Sequence, residues 1–369
     1  MPYPKKILII GPAWIGDMIM SQSLFKQLQQ KNPDCVIDVV APAATYPLLQ
    51  YMPEIRQGFC LSLKHKQFGF WQRLKLAKSL RGQHYDEAIV LPNSWKSALL
   101  PFLAGIQCRR GWHGESRYIL LNDRQRLNKQ GLRLQVQRFL ALSDQFTGNT
   151  QQNWQLTLEE LSKANLFPHM IVSAKRQSAV VDKFKLPTDK KIIALCPGAA
   201  YGNSKKWPAE YFATVASTKV KEGYQIYLLG ALTDKDTAAI IQNQCHHNCI
   251  NLVGKTSLSE AIDIISLTQA VVTNDSGLMH IACALALPVV ALFGSSSPTF
   301  TPPLSPFAQI LSINISCSPC FQRECPLGHH RCMRDLLPNS VIKTLDNVLS
   351  QQKIDKETIS APREQVMEN

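Results

Sequence analysis

The sequence predicts an α/β protein with two domains, each built on a doubly wound parallel sheet. Short apolar runs alternate with helical patterns through both halves of the chain, which is the order that parallel sheets covered by helices require. The length of 369 residues is also too great for one ordinary hydrophobic core. In such sheets, ligands bind beyond the carboxyl ends of the strands. We therefore look for functional residues just after the predicted strands.

The apolar runs and helical patterns define two domains. In the first half, strands are predicted at 7–10, 36–40 and 88–91, and helices near 17–30, 71–81 and 95–104. In the second half, strands are predicted at 192–195, 225–229, 270–273 and 289–292, and helices near 208–222, 234–245, 258–267 and 277–286. A polar stretch at 186–191 suggests a boundary near residue 185. The predicted units are a domain at 1–185, a domain at 186–352 and a flexible polar tail at 353–369.

The most informative turn follows the predicted strand at 270–273. Asp275, Ser276 and Gly277 open a helix that includes His280, so backbone N–H groups and the positive end of the helix dipole face whatever lies above them. Taken alone, an Asp or Ser at this point is more often a simple helix cap. Together with the features below, the turn indicates an anion site suited to a pyrophosphate.

A second turn, at 11–18, joins the first predicted strand to the first helix. It lacks the Lys-Ser/Thr pair of a P-loop and the three glycines of a dinucleotide fingerprint, so neither function is indicated. Gly11 and Gly16 permit close approach of a ligand to the backbone. Asp17 in the first helical turn is a weak catalytic signal by itself, since a carboxylate there is usually only a favourable dipole contact.

Five segments in this order resemble a known family over about residues 5–350. They are GPAWIGDM at 11–18, LPNSWKSA at 91–98, CPGA at 196–199, KKWP at 205–208 and TNDSGLMH at 273–280. The chain resembles the ADP-heptose:lipopolysaccharide heptosyltransferases, and the heptosyltransferase II branch most closely. The resemblance implies a GT-B fold, in which two Rossmann-like domains face each other across a cleft.

The resemblance also implies an inverting transfer of L-glycero-D-manno-heptose from ADP-heptose to a heptosyl-Kdo2-lipid A acceptor. Asp17 matches the general base, which we expect to be exposed and ionised at neutral pH, and Lys205 matches a phosphate-binding lysine. The remaining residues implied to bind ADP-heptose are Gly198, Ala199, Ala200, Asp275, Ser276, Gly277 and His280. Because alanines stand at 199–200 where heptosyltransferase I relatives have hydroxyl residues, backbone N–H groups are expected to make those contacts.

Positive charge is concentrated in the first predicted domain. Between Lys64 and Arg133 there are fourteen Lys and Arg against four Asp and Glu, a net charge of +10 out of +13 for the whole chain. Such a run is most often a solvated surface, but it can also bind nucleic acid or an anionic membrane. The resemblance favours the membrane, and it places Lys96 and Arg117 where they would meet the carboxylates and phosphates of the acceptor. No nucleic-acid partner is expected.

Eleven cysteines, an odd number spread through core-like segments, suggest reduced thiols in the cytoplasm. Cys317, Cys320, Cys325 and Cys332 have a spacing that fits either a structural zinc ion or unliganded thiols. The acidic pair Asp234 and Asp236 has the spacing of a metal-binding motif, but its position predicts a helix start instead. No metal is assigned, and no cofactor is expected to be required besides the co-substrate ADP-heptose.

We expect no signal peptide, because Pro12, Gly16 and Asp17 break the first apolar run, and no membrane span, because the longest apolar stretch, at 278–293, contains His280 and Pro288. We therefore expect a cytoplasmic protein at the periphery of the inner membrane. Two alternatives stay open from the sequence: a heptosyltransferase I acting on Kdo2-lipid A, and, from a different class, a basic nucleic-acid-binding protein with a zinc knuckle. The linkage formed and the oligomeric state do not follow from the residues.

Overall fold

The computed structural model describes residues 4–63, 68–146, 148 and 150–360, with side chains up to residue 351. The strands are β1 (Lys6–Ile10), β2 (Val36–Pro42), β3 (Ile55–Leu61), β4 (Glu87–Val90), β5 (Cys108–Trp112), β6 (Asp123–Gln125), β7 (Ile192–Cys196), β8 (Gln225–Leu228), β9 (Cys249–Asn251), β10 (Ala270–Asn274), β11 (Val289–Phe293) and β12 (Ala308–Ser312). The helices are α1 (Ile15–Lys31), α2 (Phe70–Arg81), α3 (Trp95–Leu103), α4 (Gln135–Leu140), α5 (Leu158–Lys163), α6 (Ala174–Phe184), α7 (Ala209–Lys221), α8 (Lys235–Gln244), α9 (Leu258–Ile265), α10 (Gly277–Ala284), α11 (Arg331–Arg334) and α12 (Pro338–Ser360).

The strands form two six-stranded sheets with the same topology. The first has the order β3-β2-β1-β4-β5-β6 and the second β12-β11-β10-β7-β8-β9, which is the same pattern read in the opposite direction. All neighbouring strands are parallel. The two doubly wound domains predicted from the sequence are therefore confirmed.

The strand order reverses between β1 and β4 in the first sheet and between β7 and β10 in the second. Such reversal points open a crevice at the carboxyl edge of a sheet, where ligands bind. Asp17 follows β1, Lys96 follows β4, Gly198 follows β7 and Asp275 follows β10. The topology thus places most of the predicted site at the two reversal points.

The central strands read as continuous apolar runs because helices cover both faces of each sheet. Every residue of β4, β7, β10 and β11 is buried, so none shows the alternation of a half-exposed strand. The sequence analysis missed β3, β5, β6, β9 and β12. These lie in the outer part of each sheet and are short or partly polar, for example the exposed-rich β12.

The two domains meet through α1 and α10, which pack against each other. One continuous apolar core contains Ile9 and Met18 from the first domain together with Ile281 and Ala291 from the second. The α6 helix also bridges the domains: Arg176 pairs with Asp263 of α9 at 3.0 Å and donates to the Tyr51 hydroxyl at 2.5 Å. The predicted boundary near residue 185 falls between α6 and β7 and stays a prediction.

The last helix, α12, packs against the second sheet and runs to Ser360, beyond the predicted start of the tail at residue 353. Residues 361–369 of that predicted tail, and Lys64 and Lys66 of the basic window, lie outside the described residues. In the part of the chain that the structure describes, no helix combines the length and the apolar character needed to cross a bilayer.

Candidate active site

Asp17 lies in the first turn of α1, at the carboxyl edge of the first sheet. Its side chain is half-buried, and this burial raises the pKa of the carboxyl group to about 6. The expectation of an exposed aspartate is therefore wrong, because the neighbouring α10 covers this turn. With a pKa near 6 the group is still mainly ionised at pH 7, and it is a stronger base than an ordinary aspartate.

The turn before α10 holds a partly buried ion pair. Asp275 is 6% exposed, and its Oδ2 accepts a hydrogen bond from Lys205 Nζ at 2.5 Å. Ser276 occupies the N-cap position but makes no capping hydrogen bond with its side chain. The first N–H groups of a helix have no partner within the helix, so they remain available to an anion. The structure thus brings Lys205 to the helix terminus that the sequence analysis identified as an anion site.

His280 connects the two halves of the site. It is 5% exposed, and the pKa of its imidazole falls to about 4 because burial disfavours the charged form. A Cβ atom on Gly16 would lie 2.6 Å from His280 Cδ2, so a glycine at this position lets the imidazole pack against the turn that carries Asp17. The ring is therefore neutral at pH 7, next to the turn that carries Asp17.

Gly277 has a second role besides the one predicted. A Cβ atom at this position would lie 2.8 Å from Ile15 Cβ, so the glycine permits the close approach of α1 to α10. At Gly11 a Cβ would lie 2.4 Å from Cε, the flexible end of Met18, and 3.2 Å from the carbonyl oxygen of Val40, so this turn is also closely packed. Both glycines allow close packing around the two turns, whether or not a ligand also approaches them.

The loop after β7 is fixed by a second ion pair. Lys206 Nζ lies 3.1 Å from Asp234 Oδ1, and a Cβ atom on Gly198 would come within 2.1 Å of Asp234 Oδ2. Asp234 directly precedes α8, and Asp236 lies in its first turn. The prediction that this acidic pair begins a helix is confirmed. Ala199 is buried and Ala200 is exposed in the same loop.

Asn274 is a positioning residue that the sequence analysis did not identify. Its Nδ2 donates to the carbonyl of Pro197 at 2.7 Å, and its Oδ1 accepts from the backbone N–H of Trp207 at 3.1 Å. It therefore links the loop after β7, the segment carrying Lys205 and the turn of Asp275. A fully buried amide at the end of an apolar strand was the signal available in the sequence, because such a group needs hydrogen-bond partners.

The cysteine-rich segment 317–332 packs on the loop that carries Lys205. Ser204 donates its hydroxyl to the carbonyl of Gln322 at 2.5 Å, and the Tyr201 hydroxyl donates to the carbonyl of Phe321 at 2.7 Å. The Tyr201 ring lies near two cations, with Lys205 Nζ at 5.0 Å and Arg323 Cζ at 5.5 Å from its centroid. The segment thus supports the loop that carries Lys205.

The four cysteines of this segment are free thiols. Backbone N–H groups of residues 327–330 lower the pKa of Cys325, whereas burial, followed by the nearby thiols, raises the pKa of Cys332. Within the described ranges, no three His, Cys, Asp or Glu side chains form a group arranged to hold a metal ion. The two alternatives drawn from the sequence, a structural zinc ion and unliganded thiols, are both untested predictions.

On the acceptor side, Arg117 does not have the position expected of it. It is 1% exposed, and its guanidinium donates to the carbonyls of Pro92 at 2.6 Å and Trp112 at 2.5 Å and to Asn93 Oδ1 at 3.0 Å. Burial lowers the pKa of Arg117 to about 10, which leaves it charged at pH 7. We therefore reassign Arg117 as a positioning residue for the loop after β4. Lys96, half-buried in the first turn of α3, keeps its predicted role as a candidate acceptor ligand.

Comparisons with known proteins identify the family of the chain. The family model for glycosyltransferase family 9 (heptosyltransferase) matches residues 73–331. The chain is 41% identical to lipopolysaccharide heptosyltransferase 2 of Escherichia coli, over 94% of this chain and 99% of that protein. It is 42% identical to lipooligosaccharide heptosyltransferase 2 of Haemophilus influenzae, over 93% of this chain and 99% of that protein.

Solved structures of similar proteins point to the same family. The structure of E. coli ADP-heptose lps heptosyltransferase II has a TM-score of 0.81 and 41% identity, covering 94% of this chain and 99% of its own. A glycosyl transferase family 9 structure from Veillonella parvula, at 19% identity and a TM-score of 0.77, covers 95% and 99% and shares the fold. The chain belongs to glycosyltransferase family 9, the heptosyltransferase family, and is a glycosyltransferase of GT-B fold.

Proposed function

We propose that this enzyme transfers L-glycero-D-manno-heptose from ADP-heptose to the heptosyl-Kdo2-lipid A inner core of lipopolysaccharide, with inversion at the anomeric carbon. The observation that carries the proposal is the contact between the turn of Asp17 and the turn of Asp275 and His280. A base from one domain and an anion site from the other lie at a single junction. The relatives above, which carry the name heptosyltransferase 2, supply the sugar and the acceptor class.

The second domain is the expected binding site for ADP-heptose. The pyrophosphate would lie against the N-terminus of α10 and the backbone of residues 198–200, within reach of Lys205. As the anomeric C–O bond breaks, negative charge grows on the departing ADP. A lysine and fixed backbone N–H groups stabilise that charge with little reorganisation. Neutral His280 can then donate to or accept from a hydroxyl of the heptose without adding charge.

The first domain supplies the base. The acceptor hydroxyl must lose its proton as its oxygen forms the bond to the anomeric carbon, and the Asp17 carboxylate takes that proton. The half-buried position of Asp17 suits this role, because the raised pKa makes the carboxylate more basic while most of it stays ionised at pH 7. Lys96 and the loop held by Arg117 lie on the same side and would orient the acceptor.

The acceptor is a lipid, so we propose that the enzyme works at the cytoplasmic face of the inner membrane as a peripheral protein. The excess of basic residues in the first domain supports this location. The heptosyltransferase I alternative is not favoured, since the relatives described above carry the name heptosyltransferase 2. The nucleic-acid alternative leaves the junction of Asp17 with the donor site without a role.

The proposal is tested by incubating the enzyme with ADP-heptose and either heptosyl-Kdo2-lipid A or Kdo2-lipid A, and by reading the products with mass spectrometry. We expect the mass of one heptose to be added to the first acceptor only. Addition to Kdo2-lipid A alone would replace the proposal with heptosyltransferase I, and addition to neither acceptor would refute the assigned substrate.

A further inference from the structure

A group of aromatic side chains lies at the N-termini of α2 and α3, outside the site described above. The Phe68 ring is 5.2 Å from Trp95 and 6.2 Å from Phe70, and Phe70 is 5.4 Å from Trp71, measured between ring centroids. We call Phe68, Phe70, Trp71 and Trp95 the aromatic patch. It links two helices that both begin at the carboxyl edge of the first sheet.

The outer members of the aromatic patch face solvent. Trp71 is 75% exposed, and Phe70 and Trp95 are each 40% exposed. A tryptophan with most of its surface in water contributes little to the hydrophobic core, so fold stability does not account for it. Adjacent exposed aromatics of this size usually mark an interaction surface.

The charges beside the aromatic patch indicate what kind of partner it has. Trp71, Lys75 and Lys78 are spaced at i, i+4 and i+7, so they share one exposed stripe of α2. The helix has four basic residues and no acidic one. Tryptophan and phenylalanine favour the headgroup level of a bilayer, and lysines near the surface attract anionic lipids. The combination fits a lipid surface better than an acidic protein, which would leave the exposed indole without a role.

The position of the aromatic patch fits the same partner. Arg73 joins the two helices by donating from Nη1 to the carbonyl of Lys96 at 2.9 Å. Asp17 in α1 lies at the same carboxyl edge, because α1, α2 and α3 each follow a strand of this parallel sheet. A surface that touches the bilayer here would bring the catalytic edge toward the headgroups.

We propose that the aromatic patch, with Lys75 and Lys78, is the site by which the first domain docks on an anionic lipid bilayer, with Trp71 inserted at the headgroup level. The biological use of this site rests on the proposed function, in which the acceptor is a membrane lipid. The docking itself requires neither ADP-heptose nor the acceptor. It can therefore be measured separately from heptose transfer.

The test is flotation of the full-length protein with vesicles that contain no acceptor. We expect binding to vesicles of phosphatidylcholine and phosphatidylglycerol and little binding to phosphatidylcholine alone. Trp71→Gln should weaken the partition coefficient about tenfold through loss of buried apolar area. Lys75→Gln with Lys78→Gln should weaken it about 25-fold, at about fivefold per lysine. The fluorescence of the wild-type protein should shift to the blue on binding, and the shift should shrink in Trp71→Gln.

Matched controls use exposed residues of the second domain. Leu337→Gln removes another exposed apolar side chain, and Lys190→Gln with Lys191→Gln removes the same charge, so both should bind vesicles like the wild type. Equal loss in the controls and in the patch variants, or no binding by the wild type, would overturn the proposal. Sedimentation showing a dimer that Trp71→Gln dissociates, without vesicle binding, would assign the patch to a second copy of the chain instead. Transfer to a delipidated acceptor should be unchanged in Trp71→Gln, so a failed docking test leaves the proposed function standing.

Discussion

Asp17 is the proposed base, and its desolvated carboxylate also lowers the stability of the fold. A single substitution tests both effects. Asp17→Asn keeps the shape of the side chain but removes the base, so transfer should fall by about 10² to 10⁴. The same change removes a desolvated charge, so the variant should be more stable than the wild type at pH 7, by about 1–3 kcal/mol. Activity assays and thermal unfolding of the two proteins measure both effects.

The pH dependence follows from the raised pKa of Asp17. The unfolded chain loses this proton near pH 4 and the folded protein near pH 6, so ionisation of Asp17 costs stability that is absent below about pH 4 and complete above about pH 6. The stability advantage of Asp17→Asn should therefore appear within this window. The kcat/KM of the wild type should rise with pH around 6. Near-native turnover in Asp17→Asn would remove Asp17 from the mechanism.

Lys205 and Asp275 also act together. Lys205→Ala should weaken ADP-heptose binding and leave the buried Asp275 carboxylate without its cation, which costs about 3 kcal/mol of stability. Adding Asp275→Asn to this variant should restore much of the stability but none of the affinity for ADP-heptose. Calorimetry with ADP-heptose and unfolding curves of the two variants test this. A Lys205→Ala protein with unchanged affinity would exclude a phosphate-binding role.

Among the elements, the contact between α1 and α10 depends on the absence of a side chain at Gly16. Gly16→Ala would place a methyl group against the buried His280 ring, so we expect lower thermal stability and lower activity. Gly82→Ala is the matched control. Its Cβ would meet no atom closer than 3.9 Å, and its φ of −69° suits alanine. His280→Ala should rescue the stability of Gly16→Ala without rescuing activity, and equal behaviour of the two alanine variants would show that the contact is not tight.

The cysteine-rich segment is the element whose chemistry is still a prediction. If it binds zinc, elemental analysis of protein purified without added metal should give about one ion per chain, lost on changing Cys317 and Cys320 to serine. Because the segment supports Tyr201 and Ser204, loss of the ion should reduce ADP-heptose affinity as well as stability. Metal-free protein with full activity would assign the four thiols as unliganded.

Most helices could be predicted from the sequence. The central strands could be predicted too, because a strand covered on both faces leaves an unbroken apolar run. The outer strands could not. For example, β12 has three exposed residues out of five, and its place in the sheet depends on pairing with β11 rather than on its own composition. Sequence spacing likewise could not show that α6 contacts α9 of the second domain, since that contact depends on tertiary packing.

For the molecule as a whole, the Tyr51 hydroxyl forms hydrogen bonds that connect the two domains. It donates to Asp263 Oδ1 at 2.8 Å and accepts from Arg176 at 2.5 Å. Tyr51→Phe should cost about 1–2 kcal/mol of stability and change kcat, because the orientation of one domain toward the other is less fixed. Tyr85→Phe is a matched control: its hydroxyl donates to Asp38 at 2.5 Å, beside Arg56, within the first domain. Tyr85→Phe should lose a similar amount of stability with kcat unchanged. Equal kcat in the two variants would contradict a role of Tyr51 in fixing the orientation of the domains.

The candidate site was only partly predictable at this scale. Asp17, Lys205, Asp275 and His280 were found because they match a family pattern, and topology explains why they meet. The role of Arg117 was misjudged, since a sequence shows that an arginine is present but not that its guanidinium is used by backbone carbonyls. The role of Asn274 was not predicted, because it hydrogen-bonds to segments that are distant in the sequence and meet only in the folded protein.

The continuous apolar core that joins the two sheets affects how substitutions inactivate this enzyme. Since Ile9 and Ala291 belong to the same packed interior, we expect unfolding of one half to destabilise the other. A destabilising substitution in the core of the first domain should then weaken nucleotide-sugar binding in the second, although every residue there is unchanged. Mutations that inactivate such an enzyme would then act more often by lowering the amount of folded protein than by changing a residue of the active site.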